Sequence, residues 1–168
     1  MTHSTTLVLG IGNTLLTDEG AGVHALNLFQ LYHPDSPGIT CIDGGTLSFT
    51  LATYIEECTS LIVFDAAELH AKPGTVASFA GKEMDDFLAK GSRSPHEVGL
   101  LDLLDIARLT GSLPANRALI GIQPGYMDWG MAPTDAVQSA LANAVRAAED
   151  QLATWARQAL LAQGRAVA

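Results

Sequence analysis

The sequence predicts an α/β fold: a mainly parallel sheet of about five strands, one of them an antiparallel edge strand, in a single domain over residues 1–168. Three observations carry this. Short continuous apolar runs such as Leu61-Ile62-Val63-Phe64 read as strands buried on both faces. They alternate with longer stretches whose apolar residues recur at helical spacing. A chain of 168 residues suits one ordinary domain and is short for two sizeable ones.

The elements follow in order. Residues 7–11 form a first strand by length and flanking glycine. A helix then starts near Glu19, with Thr17 or Asp18 as its N-cap. Residues 39–42 are a weaker strand, and Asp43-Gly44-Gly45-Thr46 a turn. Leu47, Leu51, Tyr54 and Ile55 repeat at i, i+4, i+7 and i+8, predicting a helix. Residues 61–64 are the next strand. From Asp65 to Thr75 no helical pattern appears, and Lys72-Pro73-Gly74 signals a turn. A parallel crossover needs a dozen or more residues, so residues 75–79 are expected to return antiparallel at the sheet edge. The charged, glycine-flanked stretch 81–93 reads as a mobile excursion, and its Glu83, Asp85 and Asp86 as a solvated face. Ser94-Pro95-His96-Glu97 has the form of a capping box opening a helix through Leu100, Leu103, Leu104 and Ala107, with Gly111 as its stop. Residues 118–122 are a strand. The final helix has Pro133 in its first turn and a stripe through Val137, Leu141, Val145, Ala148, Leu152, Trp155 and Ala159.

Composition excludes several classes of function. The chain is 48% hydrophobic and 16% charged, with mean hydropathy +0.21, unlike a disordered acidic chain. Nine basic and 18 acidic residues give a net charge of −9, which argues against a nucleic-acid partner. No apolar run approaches the roughly 18 residues a membrane-spanning helix requires, and the N-terminus lacks a basic region and signal core. Cys41 and Cys58 have no metal-ligand spacing. A reduced, cytoplasmic protein without a membrane partner is expected.

Ligands of open α/β sheets collect beyond the carboxyl ends of the strands. That rule directs attention to residues 12–20, to Asp65 and to His96. Gly10-Ile11-Gly12 suggests a dinucleotide loop, but the third glycine is replaced by Leu15, so close backbone packing is the simpler reading. No P-loop exists, since Gly81-Lys82 is followed by Glu83. Glu19 either complements a helix dipole or serves a site. Asp65, ending an apolar strand, is either desolvated and hydrogen-bonded or faces a site at the sheet rim. His96, in the first turn of its helix, is disfavoured as imidazolium; it either covers the helix end or stays neutral to bind metal or accept a proton. Asp43 reads as a turn organiser, and His24, His33 and His70 as surface or half-buried residues. There is no Gly-x-Ser-x-Gly elbow, no second zincin histidine after His96-Glu97, and no activating context at either cysteine. Two carboxylates and one imidazole remain, a set suited to a borderline divalent ion such as nickel or zinc with open positions.

At these residues the sequence resembles the maturation endopeptidases of nickel–iron hydrogenases. The matching blocks are Leu9-Gly10-Ile11-Gly12-Asn13, Leu16-Thr17-Asp18-Glu19-Gly20, Asp43-Gly44-Gly45-Thr46, Asp65-Ala66, Ser94-Pro95-His96-Glu97-Val98-Gly99-Leu100, Gly121-Ile122-Gln123-Pro124 and Ala132-Pro133-Thr134, in the family's order. The resemblance implies a single three-layer domain with helices on both faces of a twisted sheet. It implies an aspartyl-type endopeptidase that removes a C-terminal extension from the hydrogenase large-subunit precursor after nickel insertion. Glu19, Asp65 and His96 match the family's metal-contacting residues and are the expected catalytic set. The nickel is expected to arrive with the substrate, the enzyme holding no tightly bound metal of its own. Asp65 is the expected general base; whether a carboxylate activates water or the metal polarises the carbonyl, the residues leave open. Two rivals are a receiver-like signalling domain, disfavoured because Gln123-Pro124 stands where a lysine is needed, and a nucleotide-binding α/β enzyme, which lacks the third glycine.

Overall fold

Five strands pair in the order β2-β1-β3-β5-β4. They are β1 (Thr6–Ile11), β2 (Ile39–Gly45), β3 (Ser60–Ala66), β4 (Val76–Ala80) and β5 (Asn116–Ile122). In this computed structural model the backbone of residues 5–90 and 95–166 is described, with the side chains of 5–90 and 99–164. β1, β2, β3 and β5 run parallel, and β4 pairs antiparallel with β5 at the edge. The edge strand follows from the residues before it: between Ala66 and Val76 no helix forms, so the chain can only turn back beside β5.

Side-chain alternation builds two cores, one on each face of the sheet. Val8, Ile62, Phe64 and Ile120 pack under α1 (Ala21–Tyr32) and α5 (Asp135–Ala166). Leu7, Leu9, Leu61, Val63 and Leu119 pack under α2 (Leu51–Glu57), α3 (Lys82–Ala89) and α4 (Pro95–Leu109). The result is the expected three-layer α/β domain. Among the described residues no helix is long and apolar enough to cross a membrane.

Four local expectations are corrected. The stretch expected to be a mobile excursion holds α3, whose Met84 and Leu88 are buried, while residues 91–93 and the expected capping box at Ser94 lie outside the described residues. Its acidic run is not simply solvated, because Asp85 accepts two hydrogen bonds from Arg117, at 2.9 and 2.7 Å. The helix read from Leu47 begins only at Leu51: Leu47 sits in a turn at φ 64°, yet packs on the same core as α2. Pro133 precedes α5 by two residues, and the apolar stripe ends before Ala159, which is exposed.

Candidate functional site

The carboxyl edge of the parallel strands is drawn together by close main-chain packing. Gly12 has φ 140°, and a Cβ there would lie 2.0 Å from the Glu19 carbonyl oxygen. A Cβ on Gly22, in the first turn of α1, would meet the Ile11 and Phe64 carbonyl oxygens at 2.2 Å each. Only glycine allows the start of α1 to press against the ends of both β1 and β3. The Gly10-x-Gly12 pair therefore serves packing, as read from the missing third glycine.

Between β1 and α1 the chain makes a 3₁₀ turn, Thr17–Gly20, that packs against β3. It carries Glu19, 7% exposed, beside the strand that carries Asp65, fully buried. Neither Thr17 nor Asp18 is an N-cap, contrary to the sequence expectation; α1 starts at Ala21 behind Gly20, without a side-chain cap. Asp18 instead turns inward. Its Oδ2 accepts from the Gly125 and Tyr126 N–H groups at 2.8 and 3.0 Å and from the Thr134 hydroxyl at 2.9 Å, and its Oδ1 accepts from the Thr134 N–H at 2.6 Å. Nothing in the sequence links position 18 to positions 125–134; the one signal is an acid beside Glu19 in a run with no other evident task.

The neighbouring loops are tied to the same edge. Asp43 does organise a turn, accepting from the Gly45 N–H at 2.8 Å, and Gly12 N–H donates to the Gly45 carbonyl at 2.8 Å. Buried Gln123 accepts from the Leu69 and Ala71 N–H groups at 2.7 and 3.3 Å and so fixes the loop that leaves Asp65. His96 is the second residue of α4, and its side chain lies outside the described residues. One turn on, Gly99 abuts Leu47, just past the end of β2, so α4 opens at the same edge of the sheet. Among the described residues no three His, Cys, Asp or Glu side chains form a metal-holding group.

Other candidates fall away. Cys58 is buried, donates to the Ile55 carbonyl at 3.3 Å, and burial pushes its thiol up to about 11. A thiol so placed is no nucleophile near neutral pH. His33 pairs with Glu149 at 2.7 Å, His70 is exposed beside Glu68, and half-buried His24 is held below its usual pKa by desolvation.

Glu19 and Asp65 are thus buried at the carboxyl rim of an α/β sheet, where open sheets of this class place their ligands, while Cys58 is sealed in a core and Cys41 is half-buried on β2. The sequence pattern of the hydrogenase maturation protease family matches residues 23–151, a stretch that includes Asp65 and His96. The hydrogenase expression/formation protein HupD of Bradyrhizobium diazoefficiens is 37% identical over 150 residues, 89% of this chain and 78% of that protein. The hydrogenase maturating endopeptidase HybD from Escherichia coli superposes with a TM-score of 0.81 at 29% identity, covering 92% of this chain and 93% of the other. The nickel–iron hydrogenase maturation protease HybD of Thermococcus kodakarensis gives a TM-score of 0.75 at 32% identity, over 87% and 97%. The chain belongs to the hydrogenase maturation protease family, and it is an endopeptidase.

Proposed function

We propose that the chain removes the C-terminal extension of a nickel–iron hydrogenase large-subunit precursor in the cytoplasm, after nickel has been inserted. Glu19, Asp65 and His96 contact the nickel that the substrate brings, and the enzyme needs no resident metal. The observation that carries this reading is the convergence of the Glu19 turn, the end of β3 at Asp65 and the opening turn of α4 on one edge of the sheet. Two carboxylates and one imidazole form an open ligand set, weaker than a closed four-ligand site, and suit a metal already held by the substrate.

The hydrolysis is of aspartyl type. Asp65 takes a proton from water as its oxygen adds to the scissile carbonyl. The C–N bond then breaks, and the proton passes to the leaving amine. A neutral imidazole at His96 is the form able to contact the metal-bearing substrate.

The test is to strip the enzyme with chelator, remove the chelator, and incubate it with nickel-loaded and nickel-free precursors. Stripped enzyme cuts only the loaded precursor, at an undiminished rate. Loss of activity that added zinc restores makes the enzyme an ordinary metalloprotease and refutes the proposal.

A further inference from the structure

The loop from β5 to α5, residues 124–134, is held by its main chain and yet turns its apolar side chains outward. The Thr17 N–H donates to the Gly130 carbonyl at 2.7 Å, and the Gly130 N–H donates to the Leu15 carbonyl at 3.0 Å, a parallel bridge around Leu16. The Tyr126 carbonyl accepts from the Thr17 hydroxyl at 2.6 Å and from the Asp18 N–H at 3.2 Å. The Asp18 carboxylate closes the clamp from beneath. On this fixed ledge Trp129 is 79% and Met131 78% exposed, and Tyr126, Met127 and neighbouring Leu15 are exposed as well.

Single exposed apolar residues are ordinary, but a cluster on one rigid loop marks an interaction surface. Trp, Tyr and Met are also the residue types enriched at protein interfaces. We infer that this ledge is the docking surface for the precursor polypeptide, its Tyr126, Met127, Trp129, Met131 and Leu15 packing on an apolar face of the substrate beside the scissile segment. The inference rests on the proposed function.

Continuity with the site selects this occupant. The segment that clamps the ledge, Leu15 to Asp18, runs directly into Glu19, so a polypeptide whose peptide bond reaches Glu19 and Asp65 lies across it. Charge argues against a second copy of this chain, since each carries −9. Size argues the same way: five side chains supply part of a transient protein–protein contact, well short of the roughly 2,000 Å² or more of an obligate dimer. Residues 124–135 contain no Lys or Arg, with Asp128 in their midst. The complementary face is therefore apolar at its centre and basic rather than acidic at its margin.

The experiment is steady-state cleavage of nickel-loaded large-subunit precursor by the Trp129→Ser, Met131→Ser double variant, with melting curves run alongside. Both side chains face solvent, so the melting temperature stays at the wild-type value. KM rises at least about tenfold while kcat at saturation stays within about twofold. Binding of nickel-loaded precursor to an Asp65→Asn chain, read by sedimentation, weakens at least about tenfold when Trp129→Ser and Met131→Ser are added. An unchanged KM, or a fall in kcat alone, overturns the docking surface while leaving the proposed function standing. Wild-type enzyme that dimerises through the ledge in sedimentation, with the double variant monomeric, overturns it in favour of a second copy. Failure of the wild-type enzyme to cut the precursor at all refutes the proposed function and the docking surface together.

Discussion

The two ends of β5 are each secured by an aspartate, and the two do it by opposite means. At the start of β5, Arg117 reaches across to Asp85 on α3, with the Arg108 guanidinium 3.5 Å from the same carboxylate. Beyond its far end, Asp18 holds the following loop through backbone N–H groups and one hydroxyl, with no cation among these partners. An ion pair between long side chains joins two elements but leaves their backbones some play. Main-chain bonds to a buried carboxylate set the backbone itself, and they leave the loop's side chains free for other contacts. The first end joins a strand to a helix. The second positions a surface and, one residue along, Glu19.

The comparison breaks most readily at the three residues proposed to contact the substrate's nickel. Glu19→Gln, Asp65→Asn and His96→Ala are each expected to lower precursor processing by at least about 100-fold, with the fold retained. Cleavage assays with circular dichroism as control check this; wild-type rates in two of the three would remove the site from the carboxyl edge. A middle-sized effect is expected at Asp18→Ala, which leaves three N–H groups and a hydroxyl without their acceptor. Denaturant unfolding should show a loss of about 3 kcal/mol, accompanied by slower processing because the Glu19 turn and the ledge come apart. Full activity in a destabilised variant would reduce Asp18 to a structural clasp. The smallest effect belongs to the other end.

Asp85→Asn should cost about 1 kcal/mol, since the pair is partly solvent-screened, and leave processing unchanged. Its pH dependence sharpens the contrast. Hydrogen bonding and attraction from Arg117 hold the Asp85 carboxyl below the usual range, with smaller contributions from Arg108 and Lys82 and with burial opposing them. A depressed carboxyl stabilises the fold above its unfolded pKa, and that stabilisation is lost as pH falls through the lowered folded value. The stability gap between wild type and Asp85→Asn is thus complete at neutral pH and closes on the acid limb, below about pH 4. A gap still fully open at about pH 2 would mean that the pair contributes nothing through its charge.

The strands were legible because burial on both faces demands unbroken apolar runs, and the antiparallel edge because no crossover helix could fit after Asp65. α3 was not. Its inward face amounts to Met84 and Leu88 set among charges, so a packed helix reads as a polar excursion. Leu47 shows the converse: its spacing matched a helix because it shares a core with Leu51 and Ile55, although its backbone is a turn. Glu19 and Asp65 drew attention as candidates because position after a strand is itself a signal, and both lie buried at that edge. Asp18 was misread as a cap because its acceptor role is written in main-chain N–H groups more than 100 residues away. Backbone donors are common to every residue type but proline, and they leave no mark in a sequence.

The length of α5 has its own thermal consequence. Its 32 residues span about 48 Å, and every described residue from Ala156 to Gly164 is exposed. These last turns hold their shape by helix–coil equilibrium alone. A free segment of this size falls short of the roughly 12–15 residues at which an isolated helix becomes even marginal in water. It exists as helix because the packed half has already supplied the nucleus, leaving only propagation. Warming should therefore unwind α5 gradually from its far end toward Trp155, a sloping loss of helical signal well before the cooperative melting of the two cores.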